Sequence, residues 1–289
     1  MTKIIKESFS CTRDSLTIQG TLYRKNGSLR QPIVICSHEF MANQLFVRPY
    51  AKMFAELGYA AFTYDFCGGC IVGKSDGNST DMTVFSERED LKAVLEFARS
   101  QPYTDEERVT LLGCSQGGLV SALAAAELGA QIDTLILLYP AFSIPEDARN
   151  GHMIKARFDP QHVPETFWCG PMKLGKKYAS SVMDMDVYET IGSYHGNILI
   201  LHGDKDDLVP IAFSERAFER YMQTKENTLP DWKGERSVRM QVIKGAGHIF
   251  KNISHLREAM GYIQSFLVEI EEASMFDPTI DSDHIYYTY

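Results

Sequence analysis

No stretch of this chain approaches the ~20 consecutive apolar residues that a membrane-spanning helix requires. The first ten residues, Met1 to Ser10, also lack the apolar centre of a secretion signal. A soluble, cytoplasmic protein with no membrane partner is the expectation. Basic charge is scarce as well: 29 Lys and Arg stand against 38 Asp and Glu, a net charge of -9. An acidic chain repels phosphate backbones and anionic lipid surfaces, so nucleic acid is not an expected partner. Internal repeats and low-complexity runs are missing, which excludes solenoids and disordered polymers. Only one cysteine pair, Cys67 and Cys70, has metal-ligand spacing. Zinc needs four ligands, and no second C-x-x-C or spaced histidine pair accompanies this one. No metal and no cofactor are expected. Free thiols such as Cys36 and Cys114, set in apolar runs, read as small buried hydrophobes.

What is present is an alternation. Two extended segments, Ile4–Phe9 and Leu16–Tyr23, separated by polar Cys11–Asp14, come first and suggest an antiparallel hairpin or meander. Short β-branched runs follow at Ile33–Cys36, Ala60–Tyr64, Val109–Leu112, Leu135–Leu138, Ile198–Leu201 and Met240–Ile243. Helical-period stretches lie between or beyond them, near Val47–Leu57, Phe85–Ser100, Gly117–Leu128, Ile211–Thr224 and Leu256–Glu271. Strand–helix alternation predicts an α/β fold, a mostly parallel sheet with helices on both faces. The interval Tyr139–Asn197, about sixty residues, breaks the rhythm and is too long for a structureless loop. It reads as an inserted lid at roughly 140–196, within one domain spanning 1–272. Its aromatic and apolar residues, including Phe142, Phe158, Phe167, Trp168 and Met172, should roof a pocket. Residues 273–289 read as a tail.

The segment Gly113-Cys114-Ser115-Gln116-Gly117 follows an apolar strand and precedes a helical stretch. That context turns G-x-S-x-G from a common match into a nucleophile elbow, with Ser115 exposed on a strained turn. A serine hydroxyl needs a base to take its proton. His248 follows a strand and lies in a glycine-flanked loop, which suits it to that role; the other histidines lack the setting or, like His202, precede the acid. The acid comes from Asp204, Asp206 and Asp207 after the strand at Ile198–Leu201. Asp206 best fits the H-G-x-x-D-x-x-V-P run, with Asp207 and then Asp204 behind it. Backbone N–H groups of Gln116 and Phe40 are the expected oxyanion donors.

These residues resemble the cinnamoyl/feruloyl esterase branch of the α/β-hydrolases. The likeness runs from about Ile33 to Leu267. It rests on His38-Glu-Phe40, Tyr64-Asp-Phe66, Gly73-Lys-Ser-Asp-Gly77, Met82-Thr-Val84, the elbow, the His202–Pro210 run and Gly245-Ala-Gly-His248. The resemblance implies an eight-stranded sheet with a lid after the sixth strand. It also implies that Asp147 and Tyr178, in Asp147-Ala-Arg-Asn-Gly151 and Leu174-Gly-Lys-Lys-Tyr178, contact the phenolic end of a substrate. The alternative is that Asp147 caps a lid helix and Tyr178 packs. Two departures stand out. Glu39 occupies the usual glycine of the oxyanion turn, where it could repel anionic substrates or alter the turn. Ile154 falls where a lid glutamine is usual.

The expected function is a serine carboxylic-ester hydrolase acting through an acyl-enzyme on small acyl or aryl-acyl esters, hydroxycinnamoyl esters among them. A lipase, lysophospholipase, acyl transferase or peptidase keeps the same chemistry on another substrate. A peptidase of this fold usually carries a large N-terminal propeller, and roughly thirty residues precede the first core strand here. A non-catalytic binding protein is the alternative of another class. The partner expected is a small ester, with a homodimer left open.

Overall fold

The computed structural model describes residues 3–27, 30–225 and 236–275. The chain opens with a hairpin, β1 (Ile4–Arg13) and β2 (Leu16–Lys25), paired antiparallel from Ile4↔Lys25 to Arg13↔Leu16. Strand β1 runs four residues past the extended segment Ile4–Phe9 read from the sequence, and Asp14, at φ 52, takes part in the reversal. Then strands and helices alternate: β3 (Gln31–Ser37), α1 (Gln44–Leu57), β4 (Ala60–Tyr64), α2 (Val84–Arg99), β5 (Thr104–Cys114), α3 (Gln116–Leu128) and β6 (Thr134–Leu138). An inserted region follows. It holds α4 (Ile144–Arg149), the two-residue strands β7 (His152–Met153) and β8 (Ala156–Arg157), the hairpin β9 (Thr166–Cys169) and β10 (Met172–Gly175), α5 (Lys176–Ser180) and α6 (Val187–Ile191). The alternation resumes with β11 (Asn197–Gly203), α7 (Ala212–Lys225), β12 (Val238–Ile243) and α8 (Ile253–Met275). Thus α8 runs past the boundary expected for the tail, and 276–289 lie outside the described residues.

Eight strands form one sheet in the order β1-β2-β4-β3-β5-β6-β11-β12. From β4 onward all neighbours are parallel. The central strands are apolar on both sides because both faces are covered. Ile33, Ile35, Leu111, Leu135 and Ile200 enter one core with α2, α3 and α7. Val34, Cys36, Leu112, Ile136 and Leu201 enter a second, beneath α1 and α8. The period-two alternation thus serves two cores rather than core and solvent. This is the α/β-hydrolase architecture, with the insertion after the sixth strand.

Helix boundaries follow local chemistry. Asn43 caps α1 by accepting from the Leu45 N–H, and Gly58, at φ 99, ends it. Thr83 and Ser86 form a reciprocal capping box at α2. No side chain caps α3, whose first turn begins at the elbow. Within the insertion, β9 alternates faces, so Phe167 and Cys169 are buried while Trp168 is 62% exposed. Trp168 therefore does not join the apolar roof expected from composition. Among the described residues no helix is long and apolar enough to cross a membrane.

Candidate active site

β5 ends at Cys114, and the chain reverses sharply at Ser115, which sits at φ 51. A non-glycine residue at positive φ is strained and persists only where its surroundings hold it. Here the Ser115 N–H donates to the Leu138 carbonyl at 2.9 Å, and the Ser115 carbonyl accepts from Gly118, Leu119 and Ala141. The flanking glycines are needed for space. A Cβ on Gly117 would lie 2.5 Å from the carbonyl oxygens of Ser37 and His38, and one on Gly113 would lie 2.2 Å from the Gly117 oxygen.

Three loops at the carboxyl edge of the sheet converge on this turn. His248 opens a short 3-10 turn after β12, and Asp206 follows β11. The Ser115 hydroxyl lies 2.9 Å from His248 Nε2, and His248 Nδ1 lies 2.7 Å from Asp206 Oδ2. Asp206 is the acid in contact; Asp204 instead accepts from the Gly245 N–H at 2.6 Å, and Asp207 is exposed. The Asp206 carboxylate is saturated. Its Oδ1 accepts from the N–H groups of Leu208 and Val209, and its Oδ2 also faces His202 Nε2 at 3.2 Å. Burial opposes its charge, but the bonds from His202, His248 and the Val209 N–H outweigh burial and hold it well below the ordinary carboxylate range.

His202, not expected to take part, is the buried support of that acid. Its Nδ1 takes a bond with the Ser214 hydroxyl at 2.8 Å. Its Nε2 faces two acceptors, Asp206 and the Val209 carbonyl at 2.9 Å, so the proton sits on Nε2.

A cavity of about 210 Å³ opens beside Ser115. Phe40, Gln116, Asp147 and Tyr178, all anticipated from sequence, line it with Ser115. Phe40 stacks on Tyr178 at 5.6 Å between ring centroids. Asp147 does not cap α4; Ser143 precedes that helix and donates its hydroxyl to Asp147 Oδ2 at 2.9 Å. His152 Nε2 lies 2.7 Å from Asp147 Oδ1, a partner that sequence reasoning passed over. Burial raises the Asp147 carboxyl above its ordinary value, against the bonds from Ser143 and His152. Ile154 lines the cavity too.

Behind the cavity runs a buried polar chain. Tyr178 donates its hydroxyl to Gln116 Oε1, and Gln116 Nε2 donates to Glu87 Oε2 at 2.7 Å. Glu87 on α2 is fully buried; burial lifts its carboxyl to about 8, against the Gln116 bond. Glu39 is also turned inward. It does not line the cavity, and its Oε1 accepts from the Tyr139 hydroxyl at 2.9 Å, so it does not screen the cavity against anions by direct contact. No feature of the linear sequence pointed to Glu87 or Tyr139, whose roles come from burial.

Among the described residues one trio, His38, Asp65 and Cys70, clusters closely enough to hold a metal ion. Its atoms have protein partners already. His38 Nε2 accepts from the Phe66 N–H at 3.1 Å, and Asp65 accepts from the N–H groups of Gln44 and Lys74. Burial keeps the thiols of the C-x-x-C protonated, Cys67 pushed up to about 12 and Cys70 higher still.

A family model described as the prolyl oligopeptidase family matches residues 46–272. The ferulic acid-bound structure of Est1E from Butyrivibrio proteoclasticus superposes with a TM-score of 0.79 at 27% identity, covering 90% of this chain and 98% of that one. An uncharacterized 31.7 kDa protein of Escherichia coli, from the traX-finO intergenic region, is 32% identical over 102 residues, 35% of each chain. The polyketide transferase grgF of a Penicillium species is 31% identical over 131 residues, 45% of this chain and 42% of that protein. The aligned stretches thus span less than half the length of these curated relatives.

Proposed function

This chain belongs to the prolyl oligopeptidase family of α/β-hydrolases, and from that premise we propose that it is a serine hydrolase of small carboxylic esters, acting through an acyl-enzyme. One observation carries the reading: Ser115, His248 and Asp206 form a continuous hydrogen-bonded chain whose serine opens on a partly apolar cavity. Ser115 Oγ attacks the ester carbonyl while His248 Nε2 takes its proton. Asp206 holds the Nδ1–H tautomer and stabilises the imidazolium. The N–H groups of Gln116 and Phe40 receive the oxyanion. His248 then returns the proton to the departing alcohol. Water, activated by the same base, releases the acid and frees Ser115.

The acyl group lies under the insertion, which serves as a lid. Asp147 and Tyr178 offer hydrogen-bond acceptors to its far end, a setting that suits a phenolic hydroxyl. The structural likeness to Est1E, which was solved with ferulic acid, supports an aryl-acyl substrate. A second reading draws on the polyketide transferase relative: the same acyl-enzyme can pass its acyl group to an alcohol instead of water.

The test is labelling of Ser115 by a fluorophosphonate, followed by turnover of methyl ferulate and p-nitrophenyl acetate with and without an added alcohol. Labelling and release of free acid are expected. An unlabelled serine in folded protein would return the chain to the class of binding proteins.

A further inference from the structure

Glu39 stands in the turn between β3 and α1, next to the proposed oxyanion donor Phe40, and is 8% exposed. Its two carboxyl oxygens differ. Oε1 accepts from the Tyr139 hydroxyl at 2.9 Å, whereas Oε2 is buried with no partner among the described residues. Tyr139 in turn carries the base: its ring meets the His248 imidazole edge-on, 4.9 Å between centroids at 60°. The other side of Tyr139 is set by Phe250, at 4.8 Å and 87°. Tyr139 itself is held at φ 40, so the ring's place depends on these contacts and not on an easy backbone.

We propose that Glu39 is a positioning residue that must stay uncharged: as a carboxylic acid it anchors Tyr139, and through it the seat of His248, and as a carboxylate it disables the site. The inference rests on the reading of Ser115, Asp206 and His248 as the catalytic groups.

A buried carboxyl oxygen without a partner disfavours the charged form of Glu39 relative to its ordinary value. Ionisation would act twice. Negative charge next to Phe40 opposes the oxyanion, and a buried carboxylate pulls harder on the Tyr139 hydroxyl, shifting the ring on which His248 rests. Four groups face Glu39: Tyr50 from α1, Cys114 from the end of β5, Tyr139 after β6 and His248 after β12. Burial lifts Tyr50, Cys114 and Tyr139 well above their ordinary values, so they keep their protons in mild alkali. Burial also raises Glu39, against its own backbone N–H, the Tyr139 bond and the attraction of His248. Glu39 is thus the neighbour of the base whose charge changes as pH rises.

The experiment is the pH profile of kcat/KM on p-nitrophenyl acetate, from about pH 5 to about pH 10, for wild type, Glu39→Gln, Glu39→Ala and Tyr139→Phe. Wild type should fall on the alkaline side by about tenfold per pH unit beyond its midpoint, the slope of one ionisation. Glu39→Gln, uncharged and isosteric, should keep the plateau within about fivefold and lose that fall. Glu39→Ala should lower kcat by at least about tenfold with little change in KM, because the seat of the base is loosened. Tyr139→Phe removes a donor to the charged form, so its alkaline fall should move to higher pH. Superimposed wild-type and Glu39→Gln profiles overturn the inference. If Glu39→Gln does not fold, an unmoved alkaline fall in Tyr139→Phe overturns it. Fluorophosphonate labelling of wild type separates the two failures: a labelled Ser115 with superimposed profiles removes only the role of Glu39.

Discussion

Tyr178 gives its hydroxyl hydrogen to Oε1 of Gln116, the residue that follows the nucleophile. This contact joins the insertion to the elbow, and on the proposed function it bears on what the cavity would recognise. With its only hydrogen committed, Tyr178 presents lone pairs to a ligand. Asp147, which accepts from Ser143 and meets His152, is likewise an acceptor.

Tyr178→Phe and Asp147→Asn should therefore weaken substrates that donate a hydrogen bond. KM for methyl ferulate should rise by about tenfold in either variant, the scale of one lost neutral hydrogen bond. p-Nitrophenyl acetate, which has no hydroxyl at its acyl end, should change by less than about threefold. Parallel losses on both esters would mean that the two residues only brace the insertion.

The buried end of the same chain predicts a pH-dependent stability. Glu87 is raised to about 8 by burial, so the folded protein holds a proton there that the unfolded chain releases above its ordinary value of 4.5. Where the folded state binds more protons, stability falls as pH rises. The window is from about 4.5 to about 8, and the loss levels off beyond it. Thermal melts of Glu87→Gln across that window should show a shallower decline than wild type. Identical slopes would place an ionised Glu87 in the native state.

The hydrogen-bonded chain from Ser115 to Asp206 predicts graded losses. Ser115→Ala and His248→Ala should lower kcat by roughly 10⁴–10⁶, and Asp206→Asn by about 10⁴, because the amide supports the wrong tautomer. Asp206 stays ionised throughout the assay range, being held well below the ordinary carboxylate range. Stopped assays against methyl ferulate with mass-spectrometric detection of the acyl-enzyme would reveal residual turnover. Near-wild-type rates in Asp206→Asn would transfer the role to Asp207.

The elbow predicts a steric effect. An alanine at Gly117 would press against two backbone oxygens at 2.5 Å, neither of which can swing away. Gly117→Ala should destabilise the fold by about 3 kcal/mol and abolish labelling of Ser115. Urea denaturation and probe labelling measure both. A variant that melts like wild type and labels fully would mean that the turn has more slack than the contacts allow.

Much of the architecture was legible locally. Five-residue apolar runs such as Ala60–Tyr64 fit strands covered on both faces, and glycines spaced around Ser115 between such a run and a helical stretch fit a tight strand-to-helix turn. The acid was narrowed by motif to three aspartates. The choice of Asp206 became a contact only when β11 and β12, parallel neighbours, brought their loops together. His248 was legible from its glycine-flanked loop after a strand. Trp168 was misjudged because composition carries no facing, whereas the pairing of β9 with β10 assigns it to solvent.

By itself, then, the sequence determined the periodicities, the turns that demand glycine and the place of the candidate nucleophile, since these depend on neighbours a few residues apart. Tertiary structure alone decided the electrostatics. Glu39 and Glu87 look like ordinary acids along the chain, and His202 like a strand-end histidine. What each became depended on groups far away in sequence: Tyr139 beside Glu39, Gln116 beside Glu87, Asp206 and Ser214 around His202. Protonation and hydrogen bonding in a buried site follow from the loss of water and the nearest dipoles. Only the folded chain brings those together.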